Sequence, residues 1–419
     1  MINTPSLSAH RAAMCIACGL LFSGCTWLPW FITEKDPTPP SELVKFEPET
    51  AASVAWSQDI GKGTGKRRLQ LVPALHNGRI YTGDASGRVT AVNAADGRVL
   101  WQKETGLRLS GGPGVDGGHL VLGSTDGDLI ALSSADGREL WRIRTVSEVL
   151  SVPAIGGNSL IVHTIDDSVL GYDLTTGEER WRYSEPAPIL TLRGSSTPVI
   201  RGDGAIVGIS GGQLVNLALE DGTPLWEITV TRPQGRSELE RIADIDATPV
   251  IVGNVAFVGT YNGDLAAVDI DNATVIWRRE LSAHAGLTAN TEELYITDSD
   301  DNIWAADPVT GAGHWKQERL RYRDLTAPVI YGDLLAVGDF EGYIHWLSRS
   351  DGRLVARTRV AKGAITATPV VDGGKLYVYV DNGKLAALTA ARSVPRRPAA
   401  ANTGSVSATE SNTEDDQQQ

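Results

Sequence analysis

The chain has 419 residues and a formal charge of −13 at neutral pH. That length suffices for a large core and for two or three domains, while the acidity excludes a surface built to follow nucleic-acid phosphates. All three cysteines, Cys15, Cys18 and Cys25, lie at the N-terminus, so the rest of the chain has no disulfide and no thiolate for zinc or nucleophilic attack.

The first 24 residues read as an export signal. Arg11 supplies the positive charge, and Ala12 to Phe22 is an apolar run too short to span a membrane as a mature helix. The run Leu21-Phe-Ser-Gly-Cys25 resembles a bacterial lipobox, in which the Cys is acylated and becomes the new N-terminus. Phe22 stands where Leu is usual. The other reading is an ordinary secretory signal with an incidental Cys. Thr26, where lipoproteins kept in the inner membrane typically carry Asp, implies an outer-membrane anchor on Cys25. Residues 25–50 carry Trp27, Trp30 and several prolines without periodic pattern, which predicts an extended tether.

A block of about 40 residues then returns eight times. Arg79-Ile-Tyr-Thr-Gly, Gly87-Arg-Val-Thr-Ala-Val and Asp96-Gly-Arg-Val-Leu-Trp101 make one copy; Leu120-Val-Leu-Gly, Gly127-Asp-Leu-Ile-Ala-Leu and Asp136-Gly-Arg-Glu-Leu-Trp141 make the next. Short apolar strands at this period are the mark of a β-propeller blade. A Pro opens the innermost strand at 73, 113, 153, 198, 249, 328 and 369, with Ala289 holding that phase in the sixth copy. A turn Gly stands four residues before a Trp in Gly97/Trp101, Gly137/Trp141, Gly177/Trp181, Gly222/Trp226 and Gly311/Trp315. The eighth copy ends at Leu388 without an outer strand, and Trp56 precedes any complete copy. Both irregularities vanish if Val54–Trp56 supplies the missing strand. The predicted fold is therefore all-β: an eight-bladed β-propeller of four-stranded antiparallel blades over 51–390, closed by an N-terminal strand. Residues 391–419 are polar and predicted to be disordered.

Trp-to-Pro connections usually take 12 or 13 residues. Trp181 to Pro198 takes 17 and Trp226 to Pro249 takes 23. They sit on adjacent blades and emerge on one face, a plausible binding surface on a rigid scaffold. Trp56 to Pro73 also takes 17, and its Gly61-Lys-Gly-Thr-Gly reads as plain flexible linker.

Asp-Gly-x-x-x-Trp with Gly-x-Leu-x-Ala-Leu resembles the pyrroloquinoline-quinone-type propeller repeat over about residues 53–390. Two kinds of protein carry it: quinoprotein dehydrogenases, and the lipoprotein subunit of the outer-membrane β-barrel assembly machinery. Eight copies, a lipobox and little else resemble the second. Leu190-Thr-Leu-Arg-Gly194 and Asp244-Ile-Asp-Ala-Thr-Pro249 resemble the loops through which that lipoprotein family contacts the periplasmic POTRA domains of the barrel-forming subunit. The resemblance implies a non-catalytic scaffold without cofactor, lipid-anchored in the outer membrane and facing the periplasm. It places partner contacts on Leu190, Leu192, Arg193, Asp244 and Asp246, the two acids meeting a basic patch opposite, and makes outer-membrane protein clients possible further partners.

The alternative, a periplasmic quinoprotein-like dehydrogenase, needs a calcium and cofactor site. Asp298-Ser-Asp-Asp-Asn302 has alternating acids, but Ile303 replaces the Gly a calcium loop needs and Val309 the bidentate Glu. The seven His show no HxxxH or HExxH spacing, and no Walker loop occurs. Trp304 and Trp346 fall on middle strands and read as packing.

Overall fold

The computed structural model describes residues 38–392 except 66, 186–189, 238 and 284. The expected export signal, Cys25, the first half of the expected tether and the tail beyond 392 lie outside the described residues. Met1–Pro39 separates as its own unit, described only at 38 and 39. From Pro40 on, all regular structure among the described residues is strand.

Thirty-three strands make eight antiparallel four-stranded blades and one extra strand. Blade 1 opens at Ala74–His76, and blades 2 to 8 open at Leu109, Ala154, Val199, Val250, Leu287, Val329 and Val370. The extra strand, Gln70–Leu71, adds in parallel to the inner edge of blade 2 at Gly111 and Gly112. Alternation does not separate core from solvent on the middle strands. Leu129-Ile-Ala-Leu132 is wholly buried, because a blade between two neighbours presents an apolar face to each. Small Ala beside Leu sets the spacing between them.

The outer strands explain the Asp-Gly-x-x-x-Trp motif differently from its spacing. The Gly serves the Trp of the preceding blade, not its own. A Cβ on Gly137 would lie 2.6 Å from the Trp101 indole, and one on Gly222 2.4 Å from Trp181. Each of these glycines has positive φ, 75° and 72°, a conformation that a side chain disfavours. The indole N–H then donates across the junction: Trp101 to Ser134 O (3.2 Å), Trp141 to Leu174 O (2.8 Å), Trp181 to Leu219 O (2.9 Å), Trp315 to Arg349 O (2.9 Å). A β-bulge just before the Trp position recurs in all eight blades, adding local twist to the outer strand.

Ring closure follows the same rule. Thr50–Asp59 pairs antiparallel with Lys384–Arg392, with Trp56 opposite Ala387. Trp56 packs on Gly97 of blade 1 and donates to Ala94 O at 3.2 Å, while the Tyr377 and Tyr379 hydroxyls donate to Ala94 O and Gly83 O. The ladder is longer than the expected Val54–Trp56 and runs two residues past 390.

Two stretches expected to be loose are fixed. Gly61–Gly65 threads the closure: Lys62 N–H donates to Asp84, Gly65 N–H to Asp381 O, and a Cβ on Gly63 would meet Asp381 O at 2.1 Å. It is a fitted joint. Residues 41–49 of the expected tether run along blade 7, because Val44 and Phe46 supply apolar groups that pack against its core. Arg323 and Arg357 donate to the carbonyls of Ser41 and Val44, Arg353 pairs with Glu49 at 2.8 Å, and Glu49 N–H donates to Val355 O.

Candidate functional site

In such a ring the outer-to-inner connections and the turns between second and third strands share one face. The two enlarged connections occupy it side by side and are tied together. Asp244 is buried at 2% exposure, and its carboxylate accepts the N–H groups of Leu192 (2.7 Å) and Gly211 (3.1 Å). One buried acid thus joins the first loop, the second loop and a blade 4 turn. Asp246 lies over the first loop, where a Cβ on Gly194 would be 2.4 Å from its carboxyl carbon.

Behind these acids stands a pair that sequence reasoning missed. His163 Nδ1 lies 3.0 Å from Ser196 O, at the base of the first loop, and its Nε2 lies 3.3 Å from Asp167. Asp167 in turn accepts Ser210 N–H. Both belong to blade 3, and no local motif marks them. The only signal was that the Asp167 turn shares the loop-bearing face. The second loop is anchored by Ile242, Ala243 and Ile245, all buried. Its tip is held by a reciprocal Ser237–Glu240 pair in which each side chain accepts the other's N–H. That turn displays Leu239, 68% exposed, also missed from sequence.

Arg193 projects outward, half-exposed, yet is not free: it pairs with Glu148 at 2.6 Å and donates to Arg68 O at 3.2 Å. Arg68 pairs with Asp324 at 3.0 Å. These groups rim a cavity of about 210 Å³ lined by residues as far apart in sequence as Leu150, Asp246, Asp301 and Ile365, where successive blade connections converge. Leu190 is exposed and Leu192 half-buried. All five expected residues therefore share one region, but not one role. Asp244 is no surface acid for a basic patch. Its burial makes it an internal fastening.

Burial acts on both acids of the second loop. Burial raises the Asp244 carboxyl against the two N–H groups that favour its charge. Asp246 is pushed up to about 7, first by burial and then by the charge of Asp244, with His163 opposing. Asp301, at the same mouth, is pushed up to about 6 by burial. Burial also acts on Asp167, but His163 and Ser210 outweigh it and hold its carboxyl low.

No metal-binding cluster occurs among the described residues. The Asp298 carboxylate is consumed by its own turn, accepting from Asp300 N, Asn302 N and the Trp304 indole. Trp346 is fully buried. The buried Asp339–His345 contact of 2.9 Å resembles a catalytic pair but works with Arg323 and Arg357, the clamps of residues 41–49.

Fold and site together define a rigid propeller scaffold that presents two interlocked loops on one face. The chain belongs to the family described as outer membrane protein assembly factor BamB, whose model matches residues 40–108, 85–317 and 318–410. The outer membrane protein assembly factor BamB of Alkalilimnicola ehrlichii is 53% identical over 338 residues, covering 81% of this chain and 88% of that one. The crystal structure of BamB from Moraxella catarrhalis superposes with a TM-score of 0.74 at 27% identity, covering 81% of this chain and all of the other. Quinohemoprotein alcohol dehydrogenase from Comamonas testosteroni, at 14% identity, TM-score 0.63 and coverage of 80% and 76%, shares the fold alone.

Proposed function

We infer that this chain is a non-catalytic scaffold lipid-anchored through Cys25 in the outer membrane, facing the periplasm. There it docks on the POTRA domains of the barrel-forming subunit, BamA, and aids folding and insertion of outer-membrane proteins. The observation that carries the docking surface is the Asp244 fastening. It holds the Leu190–Arg193 loop rigid against the second loop, so Leu190, Arg193 and Leu239 are offered together at little ordering cost. Leucines to bury and an Arg able to pair with a carboxylate suit a protein partner, and a few such groups dominate most interfaces.

The test is binding of the purified chain to the isolated POTRA domains. Leu190→Ala, Leu192→Ala and Arg193→Ala should each weaken it by about 1–3 kcal/mol while melting temperature stays near wild type. Wild-type affinity in all three folded variants places docking elsewhere. The anchor is tested separately: Cys25→Ala protein still bound to vesicles without any partner would remove the lipid from this reading.

A further inference from the structure

Four carboxyls stand where the two loops meet the cavity: Asp167, Asp244, Asp246 and Asp301. Three of them accept N–H groups, Asp244 from Leu192 and Gly211, Asp167 from Ser210, and Asp301 from Asp324 (2.7 Å) and Leu325 (2.9 Å). Asp246 accepts none among the described residues. Its carboxyl instead faces the backbone of the first loop. A Cβ on Gly194 would lie 2.4 Å from the carboxyl carbon and 2.4 and 2.7 Å from the two oxygens. Only a glycine lets the loop close over this group.

The charges around Asp246 are committed elsewhere. Asp244 on the same loop and Asp167 on blade 3 repel its ionised form, and His163 on blade 3 opposes them. His163 is already shared between Ser196 O and Asp167. Arg68, Arg193, Asp301 and Asp324 share the cavity wall with Asp246, but Arg193 is paired with Glu148 and Arg68 with Asp324. The junction therefore cannot ionise fully without gathering like charges in an enclosed place.

We propose that a proton on Asp246 latches the first loop to the second, so that its loss releases Leu190–Gly194 and weakens partner docking. The consequence for docking rests on the function proposed above; the latch does not. A neutral carboxyl tolerates the Gly194 backbone above it, whereas a carboxylate without donors needs water. Lifting Gly194 admits that water. The movement ends at Ser195 and Ser196, which are buried, Ser196 donating to Ala247 O at 3.2 Å. It also withdraws the Leu192 N–H from Asp244. Enclosed, the Asp246 carboxyl titrates at about 7, against 3.8 in the open. The closed loop holds the extra proton, so closure is fully favoured below about pH 4 and is lost as pH rises through about 7.

The experiment uses the full mature chain beside Asp246→Asn, which keeps the shape and stays neutral at every pH, and Asp301→Asn, which removes another acid of the cavity. In the free chain, hydrogen-exchange protection over residues 190–194, corrected for the intrinsic rate, should fall between pH 6 and pH 8 in wild type and Asp301→Asn. It should stay level in Asp246→Asn. Binding to the isolated POTRA domains should weaken roughly three- to tenfold over the same interval, since one linked proton allows at most about tenfold per pH unit. Dividing by the Asp246→Asn affinities removes titrations on the partner. A carbon-13 titration of the wild-type Asp246 carboxyl needs no variant and should show a midpoint near 7. A midpoint near 4, level protection in wild type, or the same fall in Asp246→Asn overturns the latch. Absence of POTRA binding at both pH values removes the docking surface, while exchange in the free chain still decides the latch.

Discussion

Replacing Asp246 by Asn changes one atom and removes one charge, and its effect has a sign fixed by pH. The Asp246 carboxyl is pushed up to about 7 in the folded chain, first by burial and then by Asp244, against an unfolded value near 3.8. Between those values the folded state holds a proton that the unfolded state has lost, so stability falls as pH rises from about 4 through 7. At about 1.4 kcal/mol per pH unit the ceiling of the penalty is about 4 kcal/mol, reduced by the solvent that still reaches the group. Asp246→Asn should therefore be nearly neutral at pH 4 and stabilising by about 1–3 kcal/mol at pH 8. Thermal melts of both proteins across that range read the difference directly. An equal change in melting temperature at pH 4 and pH 8, or destabilisation at pH 8, refutes the assignment of Asp246 as a desolvated acid.

Three other perturbations test separate parts of the structure. Gly97→Ala puts a methyl group 2.5 Å from the Trp56 indole at φ +75° and should cost about 2–4 kcal/mol, whereas Gly106→Ala, at φ +74° in open space, should cost only the backbone term of about 1–2 kcal/mol; equal losses in denaturant titrations would remove the Trp–Gly junction. Asp244→Ala leaves the N–H groups of Leu192 and Gly211 without their acceptor, so hydrogen exchange at both amides should accelerate and POTRA binding weaken with an unchanged salt dependence; a loss that fades at high salt would return Asp244 to the role of surface acid. Deleting 40–49 removes the Phe46 and Val44 packing and the Arg353–Glu49 pair and should lower the melting temperature by several degrees, while deleting 26–37 should not; equal melting of the two truncations would contradict the docking of that segment.

The architecture was legible because the propeller writes itself eight times. Trp, Gly and Pro recur at fixed offsets, and the leftover Trp56 with the unfinished Leu385–Leu388 strand announced how the ring closes. The partner of each motif was not legible. Gly97 and Trp101 are four residues apart, yet Gly97 receives Trp56 and Trp101 lies on Gly137, because inter-blade contacts have no signature at short range. The connections Trp181–Pro198 and Trp226–Pro249 stood out by length, but length says nothing of burial, so Asp244 and Asp246 could not be told apart. His163 and Asp167 act through tertiary contacts alone. Residues 41–49 were misjudged because two apolar side chains among prolines set no period, and Gly61–Gly65 because glycines demanded by close approach look the same as glycines that merely bend.

The closing ladder also sets an order of events. Thr50–Asp59 is made some 325 residues before its partner Lys384–Arg392, because synthesis runs from the N-terminus. Throughout that interval the closing strand waits without a mate. Each of blades 1 to 7 draws its strands from one short stretch of chain, but the eighth must join the two ends, the slowest kind of contact to form. A truncation anywhere before 384 would leave the strand without its ladder partner. Completeness of the polypeptide is thus checked by folding itself: only a chain made to its last blade can pair Thr50–Asp59.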